Sequence, residues 1–301
     1  MKKAKFNVGL FGIGAIGSVI GSVLSQNKLI SMAYFNRSKK ESLKVKYGES
    51  KNNIPIKLES TLNLSKELDW LIIAIKEYDY VNARKTLKEL IKPKTNIAII
   101  RNGLNLYESL HGLANRSNVL ECLIDCPTQK NDEDYYNQIT KGKIVVQNNA
   151  LSNSFAKLFG ENEQLVIEQT VDFKTASWEK LIESSSLGAI LALSGETCWI
   201  FEDQELINLY KKIVIESLQV GIKDGAKIDS NYKDQLILKL KKYPSTKGSS
   251  MLTDRLNNRR IELMAKNGII SELGKKYKLE TPLNDLIYNL LKYTNIKKNV
   301  Y

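Results

Sequence analysis

An α/β fold in two parts, a doubly wound parallel sheet first and an all-helical domain after it, is what this 301-residue sequence predicts. Three observations point there. Domains usually run to about 100–200 residues, so the length suits two. Up to about residue 170, continuous apolar runs alternate with helix-period stretches. That is the pattern of parallel strands buried on both faces by crossover helices. Beyond residue 170 the strand-like runs stop and only helical periods remain.

The elements follow in order. "KFNVGLFG" (5–12) reads as the first strand, with a helix over 15–26. "ISMAYFNR" (30–37) is the second strand, and "WLIIAIK" (70–76) is a continuous, buried one leading to a helix over 78–91. "NIAIIRNG" (96–103) is another strand, with helix character over 104–114. "KIVVQN" (143–148) and "LVIEQT" (165–170) end the series. Helices are expected over 174–194, 203–224, 231–242, 249–273 and 282–294, punctuated by Pro244 and Pro282. The domains are therefore expected at 1–170 and 171–301.

Composition narrows the classes of function. No run of eighteen apolar residues occurs, so no membrane-spanning helix is expected. The basic N-terminus resembles a leader, but its apolar run is broken by Asn7 and by Gly9, Gly12, Gly14 and Gly17, and no small-residue cleavage site follows. Cys122, Cys126 and Cys198 are too few and too scattered for a zinc site, and suit a reducing cytoplasm. His111 is the single histidine, which argues against a histidine base or a histidine-rich metal centre. No metal is expected. The net charge of +12 comes from lysines spread along the chain, not clustered with aromatics, so no nucleic-acid groove is expected. Such a field attracts phosphates and carboxylates.

"GLFGIGAIGSVIG" (9–21) holds the clearest motif, G-x-G-x-x-G at Gly12, Gly14 and Gly17, between a strand and a helix. This is the Rossmann-type dinucleotide pattern. The first glycine permits the turn, the second lets backbone approach a pyrophosphate, and the third lets helix pack on strand. The helix N-terminus then offers N–H groups and partial positive charge to the phosphates. NAD sites usually place an acid at the end of the second strand for the ribose 2′-hydroxyl. Here "YFNRSKK" (34–40) has none, and Arg37, supported by Lys39 or Lys40, suits a 2′-phosphate. NADP(H) is the expected cofactor.

Ligands of open α/β sheets sit outside the carboxyl ends of strands. Lys76 in "AIKEYD" and Asn102 in "IIRNGL" fall there. In the second half, Lys180 lies in the first turns of a helix, and Ser250 and Glu262, twelve residues apart, are expected to share one helix face.

With these residues in view, the sequence resembles the ketopantoate reductase family over nearly its whole length. The shared features are the G-x-G-A-x-G loop, strand-end Lys76, the Asn102-Gly103 pair, the W-x-K of Trp178 and Lys180, the S-S-M-x-x-D segment (249–254), Glu262 within "RRIE", and a T-P-x-N tail in "TPLNDLIYNLL" (281–291). The resemblance implies that the first domain binds NADPH through Gly12, Ile13, Gly14, Ala15, Ile16, Gly17, Arg37, Lys76 and Asn102, and that Glu262 of the second domain helps hold the cofactor. It implies a helical domain that closes over the cofactor and reduction of a small 2-keto acid in the cleft. Lys180 corresponds to the general acid, and Glu262 to the carboxylate that orients it. Asn102, Lys180, Ser184 and Ser250 correspond to substrate contacts. The chemistry suits these residue types: an ammonium stabilises charge developing on the keto oxygen and donates the proton, and a nearby carboxylate keeps it charged.

The reaction implied is reduction of 2-dehydropantoate to pantoate, on the route to pantothenate. A homodimer is one assembly left open. One departure stands out. The family usually carries asparagines four and eight residues after the catalytic lysine, where this chain has Ser184 and Gly188. Two alternatives therefore stay open: a reductase of another 2-keto acid, and an NADP-binding sensor without turnover.

Overall fold

The computed structural model describes residues 6–61 and 66–294. Two units make up the chain, Met1–Phe173 and Lys174–Tyr301.

The first unit is built on strand β1 (Phe6–Phe11), which runs into helix α1 (Ala15–Leu24). Lys5, where the sequence places the start of this strand, lies outside the described residues. Strands β2 (Ile30–Phe35), β5 (Trp70–Ile73), β6 (Asn96–Ile100), β7 (Val119–Asp125), β10 (Gly142–Gln147) and β11 (Leu165–Thr170) complete a seven-stranded sheet. Its order is β11-β10-β7-β6-β5-β1-β2, and only the β7–β10 pair is antiparallel. The alternation along β5 shows why the strand run is continuous: Trp70 and Ile72 enter one core, Leu71 and Ile73 the other. Helix α1 and α3 (Ala150–Phe159) pack in the first core, and α2 (Tyr80–Leu90) in the second. The connection order reverses at β1, since β2 lies on one side of it and β5 on the other. That makes the carboxyl ends of β1 and β5 the topological switch point, where such sheets bind ligands.

Five features differ from the sequence reading: β7 and α3 lie where it places no element, and three more follow. A second sheet, in the order β4-β3-β9-β8, is formed by β3 (Ser42–Tyr47), β4 (Ser50–Pro55), β8 (Thr128–Lys130) and β9 (Tyr136–Gln138). Residues 104–114 form no α-helix: Asn105 takes a left-handed conformation at φ 50°, and only a 3-10 turn over Leu106–Leu110 follows. Residues 249–273 are not one helix. Helix α7 (Ser250–Leu256) stops, an irregular stretch follows, and a π-turn over Met264–Gly268 leads into α8 (Ile269–Tyr277).

The second unit is helical. Helix α4 (Phe173–Ser194) carries the fully buried Trp178, whose indole N–H donates to Asp224 Oδ2 at 2.9 Å. Tyr277 and Lys174 reach the same carboxylate at 2.5 and 3.1 Å. Helices α5 (Gln204–Lys223), α6 (Tyr232–Lys241) and α9 (Pro282–Thr294) complete the unit. No described helix is long and apolar enough to cross a membrane. The T-P-L-N segment acts here as a joint. Glu216 of α5 accepts from Leu283 N, Asn284 N and Asn284 Nδ2 at 2.9–3.1 Å, and Asn284 Oδ1 accepts from Asn267. The Glu216 carboxylate thus caps the N-terminus of α9. Glu216→Ala leaves these donors without it and is expected to cost about 2–3 kcal/mol of stability, read from urea unfolding.

Candidate active site

The turn after β1 is fastened to the end of β2. Gly12 N donates to Phe35 O and Ile13 N to Asn36 Oδ1, both at 2.9 Å, while the Asn36 amide donates to Ser38 O and Oγ. The three glycines of the motif have separate surroundings. Gly12 has φ +97°, and a Cβ there would lie 2.5–2.7 Å from Ile75 Cγ2 and Ala74 O. A Cβ at Gly17 would lie 1.9 Å from Gly12 O, so strand and helix meet backbone to backbone. Gly14 is exposed, with no atom within 4 Å of where a Cβ would stand. Below it, the first turn of α1 carries no acid and no side-chain cap. Ile13 is buried, while Ala15 and Ile16 are half-buried as the helix begins. Open backbone over an uncapped helix N-terminus fits a pyrophosphate.

Arg37 follows β2 with its side chain 81% exposed and its guanidinium 3.1 Å from Asp79 Oδ1. That partner, forty-two residues along the chain, is not apparent from sequence. An exposed pair of this kind is weak, so a phosphate can compete for the guanidinium. Lys39 contacts Glu41 at 2.9 Å, and Lys40 lies over the Tyr136 ring. Lys76 follows β5, half-buried, and its carbonyl accepts from Asp79 N to open a short 3-10 turn. Asn102 follows β6, where its Oδ1 accepts from Ile124 N at 3.3 Å. The loop, Arg37, Lys76 and Asn102 thus share the carboxyl edge of the sheet. Arg101, not singled out from the sequence, is buried beside Asn102. Its Nη2 donates to Ser109 Oγ at 2.9 Å and its guanidinium lies over the Tyr80 ring.

In the second unit Lys180 is half-buried on α4, with Ser184 one turn later and Gly188 two turns later. Glu183 nearby is engaged by Lys239 at 2.7 Å and by the Tyr243 hydroxyl. Burial alone would raise this carboxyl, but those two hydrogen bonds, with the charges of Lys239 and Lys180, outweigh it and hold the group below its ordinary value. Ser184 Oγ donates to Leu181 O at 3.3 Å and accepts from Lys266 Nζ at 2.6 Å. A Cβ at Gly188 would lie 2.6 Å from Met251 Sδ, so Met251 of α7 fills the space beside that position.

Ser250 and Glu262 do not share a helix face. Ser249 caps α7, its Oγ accepting from Leu252 N, and Ser250 is the exposed first residue of the helix. The helix ends because Asn258 turns left-handed at φ 51° and Arg259 folds back onto Asp254, N to O at 2.7 Å and Nε to Oδ1 at 3.2 Å. Asparagine tolerates that conformation and is a poor helix former. Glu262 then lies, half-buried, in the irregular stretch before the π-turn. Lys266, in that turn, was missed from sequence; a lysine embedded in the apolar run "LMAKNGII" is the signal that could have exposed it.

Cys122, Cys126 and Cys198 are free and buried, and burial pushes their thiols up, Cys198 to about 11. They are poor nucleophiles. No group of three or more metal-ligating side chains occurs among the described residues.

A glycine loop over an open helix end, at the switch point of a mostly parallel sheet and followed by a helical unit, defines a dinucleotide-binding protein. Residues 8–150 match the family model described as ketopantoate reductase PanE/ApbA, and residues 172–295 match the model of its C-terminal part. The chain belongs to the ketopantoate reductase family. The 2-dehydropantoate 2-reductase of Caulobacter vibrioides is 26% identical over 287 residues, covering 95% of this chain and 98% of that protein. That of Mycobacterium tuberculosis is 27% identical, covering 74% and 75%. Among solved structures, a dimeric ketopantoate reductase from Staphylococcus aureus superposes with a TM-score of 0.84 at 23% identity, covering 96% of this chain and 98% of that one. A D-mandelate dehydrogenase, solved with NADH and anilino(oxo)acetate, has the same fold, with a TM-score of 0.85 at 18% identity over 96% and 98% of the chains.

Proposed function

We propose that this chain reduces 2-dehydropantoate to pantoate with NADPH, on the route to pantothenate, residues 1–170 binding the cofactor and 171–301 the substrate. The observation that carries the cofactor reading is the open backbone at Gly14 above the acid-free start of α1. Family membership supports the reaction. Bound NADPH supplies the hydride. Lys180 Nζ stabilises the charge that develops on the keto oxygen and delivers the proton. Glu262 orients Lys180 and contacts the cofactor. Lys76 lies by the nicotinamide ribose, Asn102 touches cofactor and substrate, and Ser250 contacts the substrate carboxylate. Assembly as a homodimer belongs to this proposal, supported by the dimeric Staphylococcus aureus relative, and is checked by light scattering.

The test is a panel of 2-keto acids with NADPH and with NADH, followed by loss of the reduced cofactor's absorbance. Turnover of 2-dehydropantoate above the other acids supports the reading; turnover of another acid alone overturns the assignment. A specific observation favours that second acid: Met251 occupies the space beside Gly188, so no amide reaches the substrate from there. Arg37→Ala is expected to lower the NADPH-over-NADH preference in kcat/KM about tenfold or more, since it removes a charge-assisted bond to the 2′-phosphate. An unchanged ratio would place the discrimination elsewhere.

A further inference from the structure

We propose that Asp79 is a specificity-determining residue of the nucleotide site, opposed to Arg37, so that the pair accepts a ribose bearing either a 2′-hydroxyl or a 2′-phosphate. The inference rests on the reading that a dinucleotide binds at the glycine loop with its ribose at the end of β2. No acid stands in the sequence directly after β2, yet the fold supplies one there from another turn. Asp79 closes the short turn after β5, forty-two residues beyond Arg37. Strand β1 lies between β2 and β5 in the sheet. The contact of Arg37 Nη1 with Asp79 Oδ1, at 3.1 Å, therefore joins segments that follow the strands on either side of the glycine loop.

Asp79 is held by its own backbone. Its N–H donates to Lys76 O at 3.0 Å, and it leads into the first residue of α2 while its side chain caps nothing in that helix. Its side chain is 26% exposed against 81% for Arg37. The acid is thus the better-held member, and the arginine has the room to turn toward a ligand. The two forms of the ribose meet this pair differently. A 2′-hydroxyl donates to a carboxylate, the contact that an acid at the end of the second strand makes in NAD sites. A 2′-phosphate brings about two negative charges; it gains a charge-assisted bond from Arg37 and is repelled by Asp79. Arg37 therefore favours the phosphate and Asp79 the hydroxyl. Of the neighbouring lysines, Lys39 is paired with Glu41 at 2.9 Å and Lys40 lies over the Tyr136 ring, so neither is placed against Asp79.

The experiment titrates adenosine 2′,5′-bisphosphate and adenosine 5′-monophosphate, by calorimetry, into wild type, Asp79→Asn, Asp79→Glu and Arg37→Ala. These fragments carry the two forms of the ribose and need no turnover. In Asp79→Asn the bisphosphate is expected to bind about threefold to tenfold more tightly, and the monophosphate no more tightly than before, because a repulsive charge at a partly exposed site is gone. The NADPH-over-NADH ratio in kcat/KM should rise by a similar factor. Asp79→Glu keeps the charge and should keep the wild-type preference. Asparagine serves at a helix N-cap as well as aspartate does, so Asp79→Asn is expected to melt close to wild type. Unchanged or weaker binding of the bisphosphate in Asp79→Asn, or equal tightening of both fragments, would overturn the proposal; weaker binding would mean that Asp79 holds Arg37 in place for the phosphate. Unaltered bisphosphate binding in Arg37→Ala sinks the reading of Arg37, whereas the Asp79→Asn comparison still decides the role of Asp79.

Discussion

Lys180→Ala is expected to lower kcat about a hundred- to ten-thousand-fold while the protein still folds and binds NADPH. Lys180 is half-buried on α4, in a unit whose packing rests on other contacts such as Trp178 with Asp224. Its neighbour Glu183 is tied to Lys239 and Tyr243, so losing Lys180 leaves that carboxylate still paired. The variant therefore separates chemistry from scaffold. Steady-state rates, a thermal melt and quenching of protein fluorescence by NADPH give the three readings. Partial recovery of rate by an added primary ammonium ion would identify the missing group as a proton donor. A Lys180→Ala protein with an ordinary rate would remove Lys180 from the chemistry.

Two alanine substitutions in the glycine loop should have opposite consequences. Gly17→Ala forces a methyl group against Gly12 O, which stands 1.9 Å from the required Cβ position. Both sides of that contact are backbone, so no rotamer change relieves it, and α1 must move away from β1. A stability loss of about 3 kcal/mol or more is expected, with cofactor binding abolished. Gly14→Ala meets nothing within 4 Å. It should lose only about 1 kcal/mol in a urea melt, the cost of alanine in place of glycine at the N-cap of α1, while its Kd for NADPH rises about tenfold or more because the methyl stands where the pyrophosphate approaches. Urea melts and NADPH titrations of the two proteins test the pair. Undiminished affinity in a folded Gly14→Ala protein would mean that the phosphates lie elsewhere.

The loop was legible because each of its glycines answers to a backbone requirement, which composition and spacing reveal directly. The helix over 204–223 was legible because its amphipathic run has a clear period, and that over 173–194 because its uninterrupted run is too long for a strand. Strand β7 escaped because Glu121 interrupts its apolar run, and that glutamate is spent on Tyr107 N and Arg116. The second sheet escaped because β3 alternates lysine with Leu43 and Val45, and because its partner β9 lies some ninety residues further along the chain. Ser250 and Glu262 were separated by a left-handed Asn258, a local backbone choice that helical spacing arithmetic does not contain. Lys266 was invisible because its meeting with Ser184 depends on the π-turn, which no periodicity announces.

The contact of Met251 with Gly188 also couples the two positions. An asparagine introduced at 188 while Met251 is in place overfills the site by about 1–3 kcal/mol. Shrinking Met251 first leaves a cavity that costs about 2–5 kcal/mol. Each single exchange, at 188 or at 251, therefore runs uphill, whereas a paired exchange can keep the volume. The two positions are thus coupled: a change at 188 or at 251 is expected to be tolerated only with a compensating change at the other.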